Sequence, residues 1–248
     1  MPRANRHFVP QQVWHLTQRC LDRAFLLHIA EERDRWCYWL RETCRRHGLC
    51  VLNYIVTSNH IHLLVEDQGD GEIARSMQLV AGRMGQEYNR RHSRSGPFWQ
   101  DRYHATAVES GAHLARCVVY IDRNMVRANE VADPCQWRHC GFHEIRELEQ
   151  KDHIVNRRRL SQLLGLGGPA ELRNSHIAWH DSHFAEYAKH RIPAWSNSLA
   201  IGSPTFVQGF KSSLGAMGLR SKVSDSREYS ALHWIRERAP APADRPAP

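Results

Sequence analysis

Alternation with a period of two opens the chain. Val13, His15 and Thr17 fall on one side of a run and Trp14, Leu16 and Gln18 on the other, which predicts a strand over Val13–Cys20. From about Leu26 to His47 the period lengthens to that of a helix. Ile29, Trp36, Leu40 and Cys44 recur at helical spacing, and Glu31 to Arg35 mark the wet turns. Arg45, Arg46 and His47 followed by Gly48 close that helix, with cations at the negative end of its dipole. Val51–Val65 reads as two strands broken by the turn-favouring Thr57-Ser58-Asn59. Asp67–Gly71 is a turn in which Asp70 is placed to cap the next helix. That helix carries a core stripe of Ile73, Met77, Val80, Met84 and Tyr88. A basic, breaker-rich loop (Arg90–Gly96) leads to a strand over Tyr103–Val108 and a last helix from about Ala112 to Arg127.

The order strand, helix, strand, strand, helix, strand, helix predicts an α+β fold. It is the ferredoxin-like arrangement, with helices on one face of an antiparallel sheet and the other face free to carry a site.

Composition narrows the function classes. A 42% hydrophobic, 24% charged chain of 248 residues supports a sizeable core. No apolar run is long enough to cross a bilayer and no apolar signal segment follows the N-terminus, so a cytoplasmic location and no membrane partner are expected. The net charge of +8 favours a polyanionic partner, nucleic acid before membrane. Seven irregularly spaced cysteines fit a reducing compartment rather than a disulfide framework. Cys135, His139, Cys140 and His143 match no usual zinc spacing, and an irregular packing segment is expected there.

Two short stretches carry candidate chemistry. In the strand after the Thr57–Asn59 break, Ile61, Leu63 and Val65 face one way, so His60 and His62 share the opposite face, one repeat apart and placed to hold one metal ion. In the last helix, Leu114, Val118, Ile121 and Met125 form the packing stripe, whereas Tyr120, Arg123, Asn124 and Arg127 fall at i, i+3, i+4 and i+7 on nearly the opposite side. A phenol is a nucleophile for phosphorus when its surroundings stabilise the phenolate. The Asn124 carboxamide oxygen is a candidate third ligand for a divalent metal held by the two histidines, and Arg123 and Arg127 suit phosphate oxygens.

Asn59-His60-Ile61-His62-Leu63-Leu64-Val65 resembles the histidine-hydrophobe-histidine strand of the single-tyrosine (HUH) transposases. Tyr120-Ile-Asp-Arg-Asn124-Met-Val-Arg-Ala128 resembles the tyrosine helix of the REP-associated tyrosine transposases, usually worded Tyr-Ile-x-x-Asn-Pro-Val-Arg-Ala, and Gly96-Pro-Phe-Trp-Gln-Asp-Arg102 resembles the segment ahead of their last strand. The likeness covers about residues 10 to 145. Met125 departs from the usual proline, and Thr57-Ser58 from a usual Met-Pro.

The resemblance implies metal ligands at His60, His62 and Asn124, a nucleophile at Tyr120, and DNA contacts from Arg102, Arg123 and Arg127. It implies magnesium or manganese, strand cleavage and rejoining on single-stranded or hairpin DNA of the REP type through a 5′-phosphotyrosine link, and a prokaryotic, nucleoid-associated setting. Monomer and homodimer stay open. So do two rival readings, a non-catalytic nucleic-acid-binding protein and a metal-dependent nuclease without a covalent link.

The composition shifts at about residue 149. The expected organisation is a transposase domain over 1–148, a mainly helical extension over 149–238, and a disordered Pro/Ala-rich tail over 239–248. Arg157-Arg158-Arg159, Trp179, Tyr187 and Trp195 suggest an accessory nucleic-acid-binding module, and a packing extension is the alternative. Gly202-Ser203-Pro-Thr-Phe206 resembles a segment of the longer family members.

Overall fold

The computed structural model describes residues 11–147, 153–182, 189–215, 221–225 and 232–237. Tyr187 and the Pro/Ala-rich tail lie outside them. The first elements are β1 (Val13–Arg19), α1 (Ala30–His47), β2 (Cys50–Val56), β3 (His60–Glu66), α2 (Glu72–Arg91) and β4 (His104–Val108). Their strands run in the order β2-β3-β1-β4, all antiparallel, which is the ferredoxin-like sheet.

Register decides what each face carries. Thr17 of β1 lies between His62 of β3 and His104 of β4, Arg19 pairs with His60, and His15 lies between Leu64 and Thr106. These residues share one face, because directly paired residues of an antiparallel ladder point the same way. Tyr54 pairs with Leu63 and meets Trp36 of α1 at 6.3 Å between ring centroids, so α1 covers the opposite face. α2 packs on α1, with Ile73, Met77, Val80, Met84 and Tyr88 all buried as the stripe requires. Asp70 does not cap α2. The Glu72 carboxylate instead accepts from the backbone N–H groups of Gln68 and Asp70, which closes the turn from inside the helix.

The second face is not left free. α3 (Ala112–Asp122) lies over it, tied to β2 by the Asn53 amide donating to Asp122 at 2.9 Å. The helix expected to run on to Arg127 breaks at Arg123 (φ −83°, ψ 11°) and resumes as one turn, α4 (Asn124–Arg127). Met125 is the second residue of that turn, where the backbone N–H has no helical partner and a proline would fit equally well.

Beyond α4 come α5 (Phe142–Arg146), α6 (Arg157–Leu163), α7 (Pro169–His180) and α8 (Ala194–Asn197), then β5 (Ala200–Gly202), α9 (Pro204–Ser213), β6 (Ser221–Asp225) and β7 (His233–Glu237). The helical character expected of the extension is present, and it is joined by strands that prolong the sheet. β5 pairs in parallel with β4, followed by β7 and β6. Two cations of the basic run at its start have partners within the fold: Arg159 holds Glu66 at 2.6 and 2.7 Å, and Arg157 bonds the Glu147 carbonyl, while Arg158 is exposed.

The Gly202–Phe206 segment has a physical reason. Ser203 caps α9 by accepting from the Phe206 N–H, and it donates to Glu109 at the end of β4. A Cβ on Gly202 would come within 2.5 Å of Phe206 and 2.8 Å of Glu109. Gly202→Ala should therefore lower stability by about 1–3 kcal/mol through overpacking. A thermal melt within a degree of wild type would show that the junction yields.

Candidate active site

His60 and His62 stand side by side as the alternation requires, 5.0 Å apart between ring centroids. Each is held by its Nδ1. The Thr57 hydroxyl donates to the His60 carbonyl, so it accepts from Nδ1 of His60, as does the Asn59 side-chain oxygen at 2.8 Å. That leaves the Nε2 lone pair of His60 for a ligand. Thr57, at a position where the resembled family has another residue, thus fixes the orientation of a candidate ligand.

Nδ1 of His62 meets Nε2 of His15 at 2.8 Å, and Nε2 of His62 meets the Asn124 amide at 2.9 Å. Rotating the carboxamide end for end would bring the Asn124 oxygen to that place. Two imidazole nitrogens and an amide oxygen are donors that a divalent metal ion accepts, with its remaining positions open to water or phosphate oxygens.

Tyr120 faces this group, with its ring centroid 6.1 Å from that of His62. The wheel of α3 put it on a polar, exposed face, yet it is only 2% exposed. What covers it comes from the extension: Trp195 packs at 5.8 Å, and the Ser196 side chain hydrogen-bonds the phenol. The Arg127 guanidinium lies 4.0 Å above the phenol ring. Burial raises the Tyr120 phenol above its usual range, while Arg127 and Ser196 act the other way. Burial also lowers Arg127, to about 10, which leaves it charged at neutral pH.

The groove between these groups encloses about 490 Å³. Arg102, Arg127, Asn124, His60, His62 and Tyr120 all line it, but Arg123 does not. Arg123 sits at the helix break, half-buried, with its Nε hydrogen-bonded to nothing. Reasoning from sequence missed Arg19, Arg23 and Arg191, which add positive charge to the same groove. Arg19 was legible in the β1 alternation. Arg23 was not, because it depends on two successive left-handed residues, Asp22 (φ 50°) and Arg23 (φ 58°), pinned by Asn59 donating to the Arg23 carbonyl.

A second polar group lies at the end of α3. Asp122, His176 and His180 place their ligand atoms within 4.8 Å of one another. Arg146 donates to Nδ1 of His176, so the proton of that ring sits on Nε2 and is given to Asp122 at 2.8 Å. A ring used in that way has no lone pair for a metal. The trio is a hydrogen-bonded tie between α3 and α7. Cys140 and His139 are likewise engaged, the thiol with the Trp137 carbonyl and the imidazole with Arg33 and Asp34.

Residues 9–124 match the family described as "Transposase IS200 like". Over that segment the chain is similar to the IS200-like transposases. The IS200-like segment ends at Asn124, so it contains both histidines, Tyr120 and Asn124, while Arg127 and the extension lie beyond it. Among solved structures the chain is similar to a REP-associated tyrosine transposase bound to a REP hairpin, at 16% identity and a TM-score of 0.50, over 63% of this chain and 94% of that one. It also matches a protein assigned as a transposase from Deinococcus radiodurans R1, at 18% identity and a TM-score of 0.35, over 52% and 97% of the two chains. No curated protein matches it in sequence. No helix among the described residues is long and apolar enough to cross a membrane.

Buried neutral histidines make the site sensitive to acid. Burial pushes His15 down to about 3 and His60 to about 4, and holds His62 well below its usual value. Each binds its proton more weakly when folded than when unfolded. Their contribution to stability is therefore complete above about pH 6.5 and is lost as the pH falls below it. His15 alone should remove about 1.4 kcal/mol per pH unit in that window, and His60 and His62 add losses of the same sign. Urea midpoints at pH 7.5 and 5.5 measure this. Equal midpoints would mean that these rings are not buried as neutral bases.

Proposed function

We propose that this protein is an IS200-like transposase that cleaves and rejoins single-stranded, hairpin-bearing DNA of the REP type, with Tyr120 as the nucleophile. The observation that carries the reading is the meeting of His60, His62, Asn124, Tyr120 and Arg127 in one basic groove from three separate elements. The fold similarity to a REP-associated transposase bound to its hairpin supports the choice of substrate.

His60, His62 and Asn124 would hold a magnesium or manganese ion, whose contribution when bound is to polarise the scissile phosphate and stabilise the departing 3′ oxygen. Arg102, with Arg19, Arg23 and Arg191, would track the phosphate backbone, a role the guanidinium fork suits. Arg127 would stabilise the phenolate of Tyr120 and then the charge that develops on phosphorus. The phenolic oxygen forms a bond to phosphorus, the bond from phosphorus to O3′ breaks, and the proton lost by the phenol is matched by the one the 3′ hydroxyl gains. The ester energy stays in the 5′-phosphotyrosine, so a second 3′ hydroxyl can rejoin the strand by the reverse attack.

A denaturing gel of the protein with end-labelled hairpin DNA and manganese tests the reading. A covalent protein–DNA band that His62→Ala abolishes is the expected result. Cleavage without such a band would replace it by the plain nuclease, and a gel shift without cleavage by the non-catalytic binder.

A further inference from the structure

The proton on each ring nitrogen of the site can be assigned by working inward from a backbone carbonyl. Trp195 lies in the four-residue helix α8, too short for its carbonyl to be used up within the helix. That carbonyl meets Nδ1 of His15 at 2.8 Å, and also takes a longer bond from the Thr106 hydroxyl. A carbonyl only accepts, so the hydrogen is on Nδ1 of His15. His15 is fully buried, and the ionisable groups that act on it are His62, His104 and Arg127, none of which favours a second proton. With one hydrogen, on Nδ1, its Nε2 must accept. The partner at 2.8 Å is Nδ1 of His62, which therefore donates. The lone pair of His62 is thereby forced onto Nε2, the nitrogen that faces Asn124.

We propose that His15 is a positioning residue for the metal site. It fixes His62 in the tautomer whose Nε2 can take an ion, and it makes that tautomer depend on the Trp195 carbonyl of the C-terminal extension. His15 would be no ligand itself, since both of its nitrogens are committed. β1 supplies it because His15 and His62 are diagonal neighbours across the β1–β3 ladder, a separation two imidazoles can bridge. Partners that orient a metal-bound histidine are typically worth 10- to 100-fold in metal affinity. The inference rests on the reading of His60, His62 and Asn124 as metal ligands only in its consequence; the tautomer itself is a property of the metal-free protein.

The test uses the full chain with 15N-labelled histidine. Long-range 1H–15N spectra without metal should show His62 with its hydrogen on Nδ1. His15→Phe keeps the ring volume but removes both nitrogens, and should shift His62 toward the other tautomer and weaken manganese binding, followed by EPR titration, by about 10- to 100-fold. His15→Gln, whose amide oxygen can still accept from His62, should recover part of that loss. Thermal melts show which variants are folded, and should His15→Phe not fold, the wild-type spectrum and His15→Gln decide. A wild-type His62 with its hydrogen on Nε2 overturns the inference, and so does a folded His15→Phe with unchanged spectrum and affinity. Manganese binding that is as tight in His62→Ala as in wild type would refute the metal reading instead, while leaving the tautomer result to stand or fall by itself.

Discussion

Tyr120→Phe should bind hairpin DNA within about twofold of wild type, form no covalent adduct, and cleave at least about 10⁴-fold more slowly, the scale seen when an enzyme loses its nucleophile. The variant suits the question because little else changes. The ring is buried between Trp195 and the Arg127 guanidinium, and phenylalanine keeps both contacts. What it loses is the hydroxyl and its bonds to Ser196 and Arg127, worth about 1–2 kcal/mol of stability. Single-turnover cleavage and filter binding on the same hairpin separate the two effects. Were cleavage to survive within tenfold, a water-activating nuclease would be the better account, and Tyr120 would be one more buried aromatic.

The histidine strand was legible because its chemistry follows from local alternation. Ile61, Leu63 and Val65 had to face a core, which sent His60 and His62 to the other side, and their burial agrees. The ferredoxin-like order was legible for the same reason. Tyr120 was found as a residue but misplaced in its surroundings. A helical wheel reports which side of a helix differs from its packing stripe, and it is silent on whether a segment some 75 residues later folds over that side. Trp195 does so, and the polar face became an interior. The break at Arg123 left no glycine or proline to mark it, since the turn that resumes at Asn124 begins with residues any helix accepts.

His15 shows a different limit. It sat in a plain alternating strand with Thr17 and Arg19, so its face could be read. Its neighbour could not, because only the β1–β3 register sets it beside His62. A one-residue slip would have turned it to the opposite face. Arg123 fails in the opposite sense. Spacing alone put it with Asn124 and Arg127, whereas in the structure it stands at the break between the two helices and does not line the groove.

Just before the break a carboxylate is buried, two residues after the candidate nucleophile. Asp122 is the last residue of α3 and accepts from Asn53 of β2 and from His176 and His180 of α7. Burial opposes its charge, and the two histidine hydrogen bonds outweigh burial, holding the carboxyl well below its usual range. Asp122→Ala would leave those three donors without an acceptor, two of them fully buried. At about 1–3 kcal/mol for each buried orphan, partly relieved by water at His180, the expected loss is about 4 kcal/mol. Urea unfolding measures it. The same change frees the end of α3 from both β2 and α7, so Tyr120 and Asn124, on either side of the break, should lose their fixed separation. Adduct formation should then fall further than DNA binding even at temperatures where the variant stays folded. Full stability in Asp122→Ala would mean that the trio does not bind the extension to the tyrosine helix. Zinc that raised the urea midpoint of the wild type but not that of Asp122→Ala would reinstate the trio as a metal site.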